Sequence, residues 1–128
     1  MEIGIKNTVK LIVSEELTAK SVGSGTLAVY ATPAMLALME RTAAESVEQT
    51  LEEGKTSVGT KLNAEHLAAT PVGMEVICSS ELVEVDNRRL VFKIEAYDES
   101  GIIGRAEHER FIVDADRFLE KTYAKIKK

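Results

Sequence analysis

Apolar and polar positions alternate with a period of two at the start of the chain. Lys6–Val13 therefore reads as a first strand. Ser14–Tyr30 follows no period, and its cluster of Ser21, Gly23, Ser24 and Gly25 predicts a loop with room for a short helical turn. Thr32-Pro33 is a helix-start signal, with Thr as N-cap and Pro in the first turn. The helix is expected over Pro33–Leu51, with Gly54 as its stop. Ala34–Met39 is apolar on every side, which predicts burial all round at that end. Thr56–Leu67, Met74–Val85, Arg89–Tyr97 and Ile102–Val113 read as strands separated by short turns, hence antiparallel neighbours. Asp116–Lys128 reads as a short amphipathic helix.

One strand, one long apolar helix and four further strands are satisfied by a sheet that buries a single face on a central helix. The expected class is α+β: a hotdog fold, an antiparallel sheet wrapped around a long helix. An ordinary two-layer α+β sandwich is the alternative. The 128 residues suffice for a single domain spanning 1–128, without internal repeat or linker.

Composition narrows the function. Hydrophobic residues make up 45% and charged residues 29%, a globular profile. The net charge of −5 argues against nucleic-acid binding, which rests on Lys and Arg neutralising phosphates. Cys78 is the only cysteine, so no disulfide forms within the chain, and one Cys with two His makes a poor zinc set. The N-terminus lacks a long apolar stretch, so no signal peptide is expected, and no apolar run approaches membrane-spanning length. A cytoplasmic protein without a membrane partner is expected.

Polar residues in apolar surroundings carry the functional signal. At about 100° per residue, Glu40 shares a stripe with Leu36, Ala43 and Val47, whereas Arg41, Glu45, Glu48 and Glu52 form the solvent stripe. A carboxylate on the inner stripe is either paired or does chemistry, and burial tunes such a group towards a general base. Strict alternation places His66 with Val58, Leu62 and Ala64, on the face that looks at the helix. A satisfied core histidine is the plainer reading of that position. Thr32 has a plain reading too, as a cap and nothing more. The helix start it marks nevertheless offers N–H groups to an oxyanion, and Gly59 permits close backbone approach to a ligand. Gly104, Ala106, His108 and Arg110 share a face of the last strand, where Arg110 suits a carboxylate or a phosphate. His108 reads as a surface or sheet-packing residue and Cys78 as core.

The stretches ATPAMLALMERTAAES, TSVGTKLNAEHLAATPVGMEV, ELVEVDNRRLVFKIEAYDE and HERFIVD together resemble the fluoroacetyl-CoA thioesterase family of hotdog enzymes. The resemblance runs from about Tyr30 to Asp114. It implies hydrolysis of an acyl-CoA thioester by a catalytic group falling on Thr32, Glu40 and His66. It further implies that Gly59 helps hold the thioester carbonyl and that Arg110 lies near the site. The enzyme would be a homodimer with sites at the subunit interface, would need no metal or redox cofactor, and would meet coenzyme A only as part of its substrate. The fluoroacetyl-specific enzyme carries phenylalanines in a lid before the catalytic threonine, and Ser14–Tyr30 contains none. A different acyl group is therefore expected. Cations must gather at the cleft mouth to meet the CoA phosphates, and Arg88, Arg89 and the C-terminal lysines are the candidates. A non-catalytic acyl-CoA-binding module and a hotdog dehydratase are the competing functions.

Overall fold

The computed structural model describes residues 1–126. Strand β1 (Lys6–Ile12) leads through a 3₁₀ turn (Glu15–Leu17) and α1 (Ala19–Val22) to the long helix α2 (Thr32–Glu48). Four strands follow, β2 (Lys55–His66), β3 (Glu75–Asp86), β4 (Arg89–Asp98) and β5 (Gly101–Asp114), and then α3 (Ala115–Tyr123). The five strands form one antiparallel sheet in the order β1-β3-β4-β5-β2. Helix α2 lies across its inner face, packed on β1, β2, β3 and β4. This is the hotdog arrangement that the order of elements implied. The sheet stays open at both edges, and β2 is one of them.

The core follows from two periodicities. Along α2, Met35, Leu38, Met39, Ala43 and Val47 repeat at helical spacing and are buried. Along β4, Leu90, Phe92, Ile94 and Ala96 alternate with outward side chains and close on that stripe. Cys78 lies among them, fully buried, and burial pushes its thiol pKa up. Among the described residues no helix is long and apolar enough to cross a membrane.

Several boundaries differ from the sequence expectation. Helix α2 ends at Glu48, with Gln49 as C-cap. Gly54, the expected stop, instead takes a left-handed φ of +82° in the turn into β2, where its carbonyl accepts from the N–H of Ala115. Thr32 is the first helical residue and Ala31 occupies the N-cap, without any side-chain cap bond. Ala37 is exposed and Leu36 only half-buried, so the first turns of α2 are not enclosed on every side within one protomer. The C-terminal helix begins at Ala115, capped by Asp114, whose side chain accepts from the N–H of Arg117. Of the terminal lysines, Lys127 and Lys128 lie outside the described residues.

Candidate active site

Two clusters carry the candidate residues. The first is at the start of α2. Thr32 Oγ1 lies 2.7 Å from His66 Nδ1, joining the helix start to the end of β2. Released from the cap, the hydroxyl is free to meet the ring. The buried ring of Tyr30 meets His66 edge to face, with centroids 6.5 Å apart and planes at 82°. His66 Nε2 is buried and has no protein partner. Burial holds the imidazole below its ordinary pKa, so the neutral form is favoured. Val29, Leu67, Ala68 and Ala69 complete an apolar recess of about 310 Å³ around these groups. The loop before α2 contributes Val29 and Tyr30 to it and is tied down by bridges from Thr18 to Tyr30 and from Val29 to Pro71.

The second cluster lies two turns further along α2. Glu40 sits at the margin of the buried stripe, on the side of β2, with its side chain 46% exposed in the protomer. It is therefore half-buried, less enclosed than the helical periodicity suggested. Its Oε2 is 3.8 Å from Nη1 of Arg110, a side chain only 9% exposed. Gly59 faces the same carboxylate: a Cβ there would come within 2.7 Å of Oε2. Arg110 also donates from Nε to Ser57 Oγ at 2.8 Å and from Nη2 to the Ser57 carbonyl at 2.9 Å. Desolvation lowers the guanidinium pKa, which the Glu40 carboxylate opposes, and the group stays charged.

A bulge in β2 creates this cluster. The register with β5 shifts between Gly59 and Lys61, leaving Thr60 as the extra residue. Strict alternation had put Val58 on the face of His66 and Ser57 on the opposite one. The bulge reverses that, so Ser57 is buried beneath Arg110 while Leu62, Ala64 and His66 keep the inner face beyond it. Ser57 and His108 were missed as site neighbours. His108 is 1% exposed and contacts Arg110, yet only the fold reveals what an inward histidine touches.

Thr32 and His66 thus come together, as do Glu40, Gly59 and Arg110, but the two groups remain apart within the chain. Eight residues of helix separate Thr32 from Glu40, about 12 Å of axial rise. The larger hollows, about 460 Å³ beside α3 and about 600 Å³ on the outer sheet face, contain none of these residues. Among the expected cations, Arg89 is held by Glu84 at 2.7 Å and by Glu109 at 2.9 Å. Arg88 borders the hollow beside α3 together with Arg117 and Lys121.

The model of the FlK family, the fluoroacetyl-CoA-specific thioesterases, matches residues 13–116 of the chain. The chain belongs to this family. It is 37% identical over 97 residues to the fluoroacetyl-CoA thioesterase of Streptantibioticus cattleyicolor, covering 76% of this chain and 70% of that one. The solved structure of the fluoroacetyl-CoA thioesterase FlK matches with a TM-score of 0.93 at 31% identity, covering 99% of this chain and 98% of that one. A hot-dog-like protein from Thermanaerovibrio acidaminovorans matches with a TM-score of 0.91 at 25% identity, over 100% of this chain and 95% of that one. The chain is therefore a hotdog-fold thioesterase, as the resemblance implied.

Proposed function

We propose that this thioesterase hydrolyses short or medium acyl-CoAs as a homodimer. Each site combines Glu40, Gly59 and Arg110 of one protomer with Thr32 and His66 of the partner subunit. One observation carries the reading: Gly59 and His66 lie seven residues apart on β2, about 23 Å at the rise of a strand. No side chain spans that distance. Antiparallel pairing of two β2 edges about a two-fold axis between these positions unites the half-sites. It also satisfies the open edge of a twelve-residue strand.

In this site the N–H of Gly59 and the first-turn N–H groups of α2 hold the developing oxyanion. Glu40 takes a proton from water as the water oxygen bonds to the acyl carbon. The carbon–sulfur bond then breaks. Water has supplied the hydroxyl of the acid, and the proton taken up by Glu40 passes on to the departing thiolate, which restores the carboxylate. His66, oriented by Thr32, serves the sulfur side. Direct attack by Glu40, giving an anhydride that water opens, uses the same atoms, and trapping of an acyl-enzyme separates the two routes. The free Cys78 suits a reducing, cytoplasmic setting.

The recess beside His66 suits a small or medium acyl group, and a lid without phenylalanine gives no reason to prefer fluoroacetyl. Comparable kcat/KM for acetyl-CoA and fluoroacetyl-CoA is expected, and a strong preference for the latter counts against this substrate assignment. The shared site is tested by co-expressing Glu40→Gln and His66→Ala chains, each inactive alone. A mixed dimer then holds one intact site, and a random mixture recovers about a quarter of the parental sites. A site built within one protomer recovers nothing.

A further inference from the structure

The reaction as proposed leaves the buried His108 unused. His108, on β5, sits opposite Leu62 of β2 and Phe92 of β4, and its ring is tilted against the Phe92 ring at 6.1 Å. Its two nitrogens meet chemically opposite partners. Nδ1 lies 2.7 Å from the carbonyl oxygen of Lys61, the first residue after the bulge. A carbonyl only accepts, so Nδ1 carries the hydrogen and donates. Nε2 lies 3.2 Å from Nη1 of Arg110. A guanidinium only donates, so Nε2 accepts. A neutral ring with its hydrogen on Nδ1 alone makes both bonds. An imidazolium would turn an N–H against the guanidinium.

The surroundings agree with that state. Desolvation and the Arg110 charge lower the ring's pKa, against the opposing pull of the Lys61 carbonyl and of the carboxylates of Glu40 and Glu109. Each of the three guanidinium nitrogens then has an acceptor. Ser57 holds Nε and Nη2, His108 holds Nη1 from one side, and Glu40 lies beyond Nη1 on the other. Without the ring nitrogen, Nη1 keeps no acceptor nearer than the Glu40 carboxylate at 3.8 Å.

We propose that His108 is a positioning residue for thioester hydrolysis: as a neutral acceptor it holds the Arg110 guanidinium against Glu40 and Gly59, and so sets the carboxylate that acts on the substrate. The inference rests on the role given above to Glu40 and Arg110. It adds a residue that never touches substrate.

The experiment compares the parent dimer with His108→Phe, His108→Gln and Arg110→Gln. Thiol release from acetyl-CoA and butyryl-CoA is followed, with kcat and KM separated and melting temperatures recorded. Phe keeps the ring and its packing on Phe92 but accepts nothing. Its kcat should fall by roughly 10- to 100-fold with KM nearly unchanged, the usual consequence of losing a bond to a charged group. Gln places an amide oxygen where Nε2 was and should recover most of that loss. A folded Phe variant with parental kcat overturns the proposal, as do equal losses in Phe and Gln. Parental activity in Arg110→Gln instead removes the role of Arg110 on which the proposal stands. Imidazole ¹⁵N spectra of the parent give a readout independent of activity and of variant folding. They should show a protonated Nδ1 and an unprotonated Nε2 for His108 at neutral pH, and the reverse tautomer or an imidazolium overturns the positioning geometry.

Discussion

Gly59 presents a bare Cα to the carboxylate of Glu40, so closely that a methyl group would lie 2.7 Å from Oε2. The same methyl would meet Nη1 of Arg110 and Cε1 of His108, each at 3.3 Å. A side chain at this position has no room unless the carboxylate moves, and the carboxylate is the mobile partner because it is half-exposed. Gly59→Ala should therefore displace Glu40 and leave the sheet standing. The expected result is a fall in kcat of roughly 10²-fold, the scale of misplacing a catalytic group by about 1 Å, with a melting temperature close to the parent's. A large loss of stability with activity kept would show that the glycine serves the bulge and not the site.

Glu40 and Glu45 make a matched pair on one helix. Glu40 faces Gly59 and Arg110, whereas Glu45 is bound to Arg41 at 3.0 Å in solvent. Glu40→Gln should abolish most turnover while preserving the fold, because shape is kept and charge is lost. Glu45→Gln removes an exposed i,i+4 ion pair, which is worth about 0.3–0.5 kcal/mol. Its kinetics should match the parent's. Steady-state thiol release from both variants checks the contrast.

Thr32 distinguishes a capping role from a chemical one. As an N-cap it would cost about 1 kcal/mol on truncation. Ala31 holds the cap position and the Thr32 hydroxyl is bonded to His66. Thr32→Ala should therefore leave stability within about 0.5 kcal/mol of the parent and lower kcat, whereas Thr32→Ser should retain most activity. Denaturation and kinetics of both variants at one temperature decide the matter. A stability loss without a kinetic effect would return the residue to capping.

Stability should depend on pH through the histidines. Burial holds both His66 and His108 below the ordinary value of 6.5, so the unfolded chain takes up protons first as pH falls. The contribution of the neutral rings is complete above about pH 6.5 and declines below it towards their folded pKa values. Glu109 behaves in the ordinary carboxylate way. Its Arg89 partner lowers its pKa from 4.5, so its contribution is lost only at more acid pH. Melting temperatures between about pH 8 and pH 5 should fall on the acid side, and less steeply in His108→Gln. A flat profile in the parent would contradict this.

Much of the fold was legible because it depends on local periodicity. Alternation along β4, helical spacing along α2 and short turn segments between the strands each act over a few residues, and together they imply one sheet on one helix. The residues suited to chemistry were legible for a related reason: Glu40, His66 and Arg110 interrupt apolar patterns. The tertiary structure decided which of them meet. The extra residue at Thr60 turned Ser57 inward beneath Arg110, and a single-residue shift of register cannot be read from alternation alone. The helix began one residue earlier than the Thr-Pro signal implied, because the Ala31 backbone takes the cap and frees the Thr32 hydroxyl for His66. His108 reads in the sequence as a surface or sheet-packing residue, and only the fold closes the Lys61 carbonyl and the Arg110 guanidinium on its two nitrogens. Those contacts join residues 47 apart in sequence in the first case and rest on side-chain direction in the second, and neither is encoded in a local pattern.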